Sequence, residues 1–122
     1  MYELKIVTGF AGAHNLRNFH GKCEDLHGHN WKIEVYVTAD ELDDAELVMD
    51  FGEIKKFTGE VLDELDHKYL NELDFFVKNN PSSENIARFI FERLEPKVNN
   101  GTAKLSKVSA WESETSCATY IG

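Results

Sequence analysis

His27-Gly28-His29 heads the most regular run in the chain, and the two features together limit the fold more than any other. Trp31, Ile33, Val35, Val37 and Ala39 alternate with Asn30, Lys32, Glu34, Tyr36 and Thr38. Period two is the signature of a strand. Residues i and i+2 of a strand point to one face, so both imidazoles can reach a single metal ion. Gly28 leaves the opposite face bare, which lets another group approach closely. Cys23 lies four residues before His27, near enough to reach the same cavity. A metal site with a reactive thiol beside it points to catalysis.

The rest of the chain bounds that reading. Its 122 residues suit one domain, residues 1–122, with a single core. Lys and Arg number 13 against 22 Asp and Glu, a net charge of −9. Phosphate backbones need a basic surface, so a nucleic-acid partner is excluded. No apolar run reaches the length of a membrane span, and Met1-Tyr2-Glu3-Leu4-Lys5 lacks the pattern of a signal peptide. Cys23 and Cys117 are too few for a disulfide framework, so a cytoplasmic chain is expected.

A first strand runs from Tyr2 to Phe10, with Tyr2, Leu4, Ile6, Thr8 and Phe10 on one face; Gly9 and Gly12 loosen its end before His14. Residues Arg17 to Leu26 read as a loop, and Asp40 to Glu46 as an acidic connection. The period then changes. Ile54, Phe57, Val61, Leu62 and Leu65 mark a helix over Gly52 to Leu65, with Asp50 as its ordinary cap. Pro81-Ser82-Ser83 opens a second helix, capped by a serine, buried through Ile86, Phe89, Ile90 and Leu94, and stopped by Pro96. Leu105 to Glu112 alternates again, and a short strand near Cys117 to Ile121 ends the chain. The order β-β-α-α-β-β predicts an α+β fold, an antiparallel sheet with two helices on one face. Its two open edges make oligomerisation through them the default.

Four groups of residues carry chemistry. If the first two strands form a hairpin, His14 falls beside His29, and His14, His27 and His29 make three ligands with one open position, the pattern of a catalytic zinc site. Imidazole also suits iron, nickel and copper. Cys23 near a divalent cation becomes available as a thiolate, either base or nucleophile. It can equally be a fourth ligand, which would make a closed, structural site. His67 after Asp66 fits a carboxylate-oriented proton-transfer group, or a helix-end cap. Glu112 ends a strand; if buried, it would want the N–H edge of a guanidine-like heterocycle. Cys117 reads as a small buried hydrophobe and His20 as a surface residue. Arg17 and Lys22 are the local bases available to a phosphate.

Phe10-x-x-Ala13-His14, Cys23-x-x-x-His27-Gly28-His29-Asn30, Asp50-Phe51, Leu65-Asp66-His67-x-Tyr69-Leu70-Asn71, Pro81-Ser82-Ser83-Glu84-Asn85 and Glu112 to Tyr120 follow one another in order. This series resembles the 6-pyruvoyltetrahydropterin synthase / 6-carboxytetrahydropterin synthase family across essentially the whole chain. The three-residue gap between Cys23 and the first histidine is similar to the bacterial carboxytetrahydropterin branch. Gly12, Ser82 and Ser113 depart from the family's usual residues. The resemblance implies a tunnelling fold, in which trimers close their sheets into a barrel and two trimers stack as a homo-hexamer. It implies Zn2+ on His14, His27 and His29, Cys23 as base, Asp66 and His67 as proton relay, and Glu112 as the anchor of a pterin ring. The activity implied is a lyase of the queuosine precursor pathway. It converts 7,8-dihydroneopterin triphosphate to 6-carboxy-5,6,7,8-tetrahydropterin, acetaldehyde and triphosphate. A 6-pyruvoyl product is the sister activity, and a non-catalytic zinc module with Cys23 as fourth ligand is the reading from another class.

Overall fold

The computed structural model describes all residues from Met1 to Gly122. Its elements are β1 (Tyr2–His14), β2 (His27–Ala39), α1 (Phe51–Leu62), β3 (Lys68–Tyr69), α2 (Asp74–Lys78), α3 (Ser83–Val98), β4 (Lys104–Ser113) and β5 (Ser116–Ile121), with a 3-10 turn at Leu70–Glu72. The sheet order is β3-β1-β2-β4-β5. All neighbours are antiparallel except β3, which pairs in parallel with β1 through Gly12–Lys68 and Ala13–Tyr69. The expected β-β-α-α-β-β order therefore holds for the long elements, with β3, the 3-10 turn and α2 added between the two helices.

Alternation sorts the residues to the two faces. Ile6, Phe10, Trp31, Ile33, Val35, Val37, Leu105, Val108 and Ala110 are buried on one face, against Ile54, Val61, Ile86, Ile90 and Leu94 of α1 and α3. Each large side chain taken from water there contributes about 1.5–3 kcal/mol. The helices start where their caps allow. Asp50 accepts from the Gly52 N–H at 2.8 Å, and Ser82 accepts from the Asn85 N–H at 3.2 Å. Pro96 does not stop α3; the helix runs two residues further, to Val98. The ring removes only one donor so near the end, and the Asn99 N–H still reaches the Glu95 carbonyl at 3.0 Å.

The opposite face carries no helix and is polar. Its one buried carboxylate, Glu34, accepts from the Trp111 indole and pairs with Lys5 at 3.2 Å. Burial raises the Glu34 pKa, but the indole and the Lys5 ammonium outweigh it and hold the carboxyl below its usual range. Cys117 sits on β5 opposite Trp111 and is exposed, not buried, because it lies on the sheet face that no helix covers. No helix is long and apolar enough to cross a membrane.

Candidate metal centre and active site

The first hairpin strand extends past the expected Phe10, the second begins at the expected histidine pair, and together they build the site. β1 continues through Gly12 to His14, and β2 begins at His27. Their register pairs His14 with His27 and Gly12 with His29. Gly12 fits this chain's own packing: a Cβ there would stand 3.0 Å from the Phe10 ring. The three histidines fall on the helix-facing side of the sheet, next to Trp31.

Ligand nitrogens of His14, His27 and His29 all lie within 4.8 Å of one another. Two of the rings are oriented from behind. His14 Nδ1 meets the Pro81 carbonyl at 2.7 Å, and His27 Nδ1 meets the Asp25 carbonyl at 2.9 Å. A carbonyl only accepts, so each Nδ1 carries the proton and each Nε2 is left with its lone pair. Those two Nε2 atoms stand 3.1 Å apart. Two nitrogens bound to one tetrahedral ion at about 2.0–2.1 Å would be about 3.3 Å apart. His29 Nε2 is buried with no hydrogen-bond partner. Opposed lone pairs and an orphaned buried nitrogen are costly alone and are relieved by a cation at their centre. Burial pushes the His14 pKa down, the neighbouring His27 and His29 add to this, and the Pro81 carbonyl opposes it. The ring is thus held neutral, the form that binds metal.

Cys23 lies outside that group of ligand atoms and is exposed on the loop between β1 and β2. Glu112 sits where β4 bulges: Trp111 pairs with Cys117 and Ser113 with Ser116, so Glu112 is the extra residue. Bulges re-aim side chains beside sites. Ser83 Oγ, in the first turn of α3, donates to Glu112 Oε2 at 3.3 Å, and the carboxylate is close enough to His14 to act on its charge.

Asp66 and His67 follow α1 at the edge of β1. The Ala11 N–H donates to Asp66 Oδ1 at 3.0 Å, and the His67 N–H donates to the Ala11 carbonyl at 2.6 Å. Asp66 Oδ2 contacts His67 Nδ1 at 3.0 Å, so the two are a dyad rather than a helix cap. The Ala11 amide, then His67, hold the Asp66 carboxyl below its usual range. His67 has φ +58, a conformation uncommon outside glycine, and its side chain is 80% exposed. A cleft of about 530 Å³ lies beside His67 on the sheet face opposite the three histidines, lined by Ala11, Ala13, Gly28, Asn30, His67 and Tyr69 among others. The bare Gly28 face expected from the sequence is a wall of that cleft. No hydrogen bond joins Cys23 to His67 within the chain. Arg17 spends one of its five N–H donors on the Phe76 carbonyl at 2.6 Å; Lys22 is exposed. His20 is exposed, as expected.

The family profile described as 6-pyruvoyl tetrahydropterin synthase matches residues 3–122. The chain belongs to this family. A relative in Synechocystis named 6-carboxy-5,6,7,8-tetrahydropterin synthase is 39% identical over 117 residues, covering 92% of this chain and 87% of the relative. A Pyrococcus furiosus protein named dihydroneopterin monophosphate aldolase is 40% identical over 105 residues, covering 86% and 84%. The solved structure of Caenorhabditis elegans 6-pyruvoyl tetrahydropterin synthase superposes with a TM-score of 0.86 at 28% identity, covering 99% of this chain and 95% of that one. The architecture is thus the tunnelling fold expected from the sequence.

Sequence reasoning missed the groups behind the histidines. The Pro81 carbonyl that sets the His14 tautomer has no side-chain signal, and Ser83 was noted only as part of a motif. Asn71 and Asn80, described below, make contacts that only the folded chain reveals.

Proposed function

We propose that this chain is a zinc-dependent 6-carboxy-5,6,7,8-tetrahydropterin synthase, a lyase. It converts 7,8-dihydroneopterin triphosphate and one water to 6-carboxy-5,6,7,8-tetrahydropterin, acetaldehyde and triphosphate; the bond between the first and second side-chain carbons breaks, and the water oxygen enters the carboxyl group. In this reading residues 1–122 are one pterin-synthase-like domain, working in the cytoplasm as a homo-oligomer built as a dimer of trimers. The observation that carries the reading is the convergence of three imidazole nitrogens, one buried and unpartnered, on the sheet face that also bears Glu112. The names of the Synechocystis and Haemophilus influenzae relatives support the carboxy product.

His14, His27 and His29 would hold Zn2+, and three ligands leave a position open to substrate. Bound there, the ion supplies Lewis acidity to the oxygens of the substrate side chain. Glu112 accepts the N–H edge of the pterin and fixes the ring. Cys23, as thiolate, takes a proton from the side chain, and His67, oriented by Asp66, gives or takes the next. Triphosphate then departs as a good leaving group. The ring is reduced at the expense of its own side chain, so no nicotinamide is required.

A 6-pyruvoyltetrahydropterin synthase is the second reading, favoured by the backbone match to the nematode enzyme. Zinc-loaded protein incubated with dihydroneopterin triphosphate, with products read by mass spectrometry, separates the two. Carboxytetrahydropterin with acetaldehyde is the expected result. A pyruvoyl product would assign the sister activity, and no turnover of this substrate would overturn both.

A further inference from the structure

We propose that Asn71 and Asn80 are positioning residues that fix the loop carrying Cys23. Each closes a two-hydrogen-bond ring with a single residue of that loop. Asn71 Oδ1 accepts from the Asn15 N–H at 3.0 Å, and Asn71 Nδ2 donates to the Asn15 carbonyl at 2.8 Å. Asn80 Oδ1 accepts from the Arg17 N–H at 2.8 Å, and Asn80 Nδ2 donates to the Arg17 carbonyl at 2.7 Å. A side-chain amide used this way replaces a strand neighbour, supplying one acceptor and one donor to backbone that has left the sheet.

The residue between the two clamped positions passes the constraint on. Leu16 donates its N–H to Glu24 Oε1 at 3.2 Å, and its carbonyl accepts from the Glu24 N–H at 2.9 Å. Glu24 directly follows Cys23. The path thus runs from Asn71 and Asn80, through Asn15 to Arg17, to Glu24 and the thiol. Both clamps also sit beside groups already described. Asn71 is on the segment that holds Asp66 and His67, and Tyr69 of that segment donates its hydroxyl to Asn15 Oδ1 at 2.7 Å. Asn80 precedes Pro81, whose carbonyl orients His14, and the Asn80 carbonyl is itself held by Asn85 Nδ2 at 2.9 Å. The loop that carries Cys23 is therefore referenced to both the dyad segment and the His14 support. That Cys23 must be so placed rests on its proposed role as base.

N71D and N80D test the clamp at nearly constant volume. Aspartate keeps the acceptor but turns a second oxygen toward a carbonyl in place of the donor. Zinc-loaded wild type and variants would be treated with iodoacetamide, and the alkylation rates of Cys23 and Cys117 read by peptide mass spectrometry. Cys117, exposed on β5, is the internal reference. The Cys23/Cys117 rate ratio should shift about fivefold in each variant, the population change that one lost hydrogen bond produces, with zinc retained. Turnover should fall with KM nearly unchanged. A ratio equal to wild type in both variants overturns the proposal. A shifted ratio with unaltered turnover keeps the clamp and refutes Cys23 as the base. Should N71D not fold, Tyr69→Phe loosens the same clamp more gently; a ratio equal to wild type there overturns the Asn71 half.

Discussion

Replacing His29 by leucine should have opposite effects with and without metal. Its Nε2 is buried without a partner, and such an atom costs about 1–3 kcal/mol. Leucine is similar in size and removes it. Against that gain stand edge contacts of the ring with His27 at 4.7 Å and with His14 and Trp31 at 5.1 Å, each worth about 0.5–1.5 kcal/mol; leucine's own packing replaces most of them and leaves a loss of about 1 kcal/mol. In chelator-treated protein the net change should lie between zero and about 2 kcal/mol of added stability, or up to about 8 °C in Tm for a chain of this size. His14→Leu should do the reverse. That ring is 2% exposed and donates to Pro81, so leucine leaves a carbonyl unpaired and lowers Tm by about 4–12 °C. With zinc at about a thousandfold over Kd, wild type should gain about 4 kcal/mol, and both variants should lose most of that response. Calorimetry of wild type and both variants in EDTA and in zinc reads each of these changes. If His29→Leu in EDTA melts as far below wild type as His14→Leu does, His29 Nε2 is not an orphan awaiting a cation, and the argument for the metal fails.

Three other outcomes follow from the geometry. Glu112→Gln should keep fold and zinc but lower kcat/KM by about 10–100-fold, since a charge-assisted hydrogen-bond acceptor is lost; unchanged steady-state kinetics would remove Glu112 from substrate binding. His14 is held neutral below its ordinary value of 6.5, so the unfolded chain binds more protons than the native one as pH falls through that value. Metal-free stability should be fully present above pH 6.5, decline below it and stop declining beneath the lowered native pKa; flat urea midpoints from the alkaline side into the acid range would contradict this. Gly9→Ala would set a Cβ 2.5 Å from the Trp31 carbonyl oxygen and should cost about 1–3 kcal/mol as the hairpin shifts. An unaltered Tm would contradict the register.

The long elements were legible because their side-chain period reports burial on one face. Trp31 to Ala39 marked β2, and Ile54 to Leu65 marked α1, which starts one residue before the expected Gly52 and ends at Leu62, three short of Leu65. The start of β2 was read from His27-Gly28-His29, but the end of β1 was not legible, because Gly9 and Gly12 break the apolar alternation while the backbone pairing continues to His14. β3 has two residues, too few for any period, and its parallel pairing with β1 depends on where the dyad segment happens to pass. The ligand trio was readable from His27-x-His29 and a hairpin assumption. Its orientation was not, because it depends on backbone carbonyls of Asp25 and Pro81. Cys117 was misjudged because burial of an edge residue depends on which face the helices cover.

The most direct test is the zinc content of Cys23→Ala measured beside its turnover. With three histidine ligands and a thiol outside their group, the variant should retain about one zinc per chain and lose activity on dihydroneopterin triphosphate. Loss of zinc from the variant would make Cys23 a ligand and the site a closed structural one, against the catalytic account.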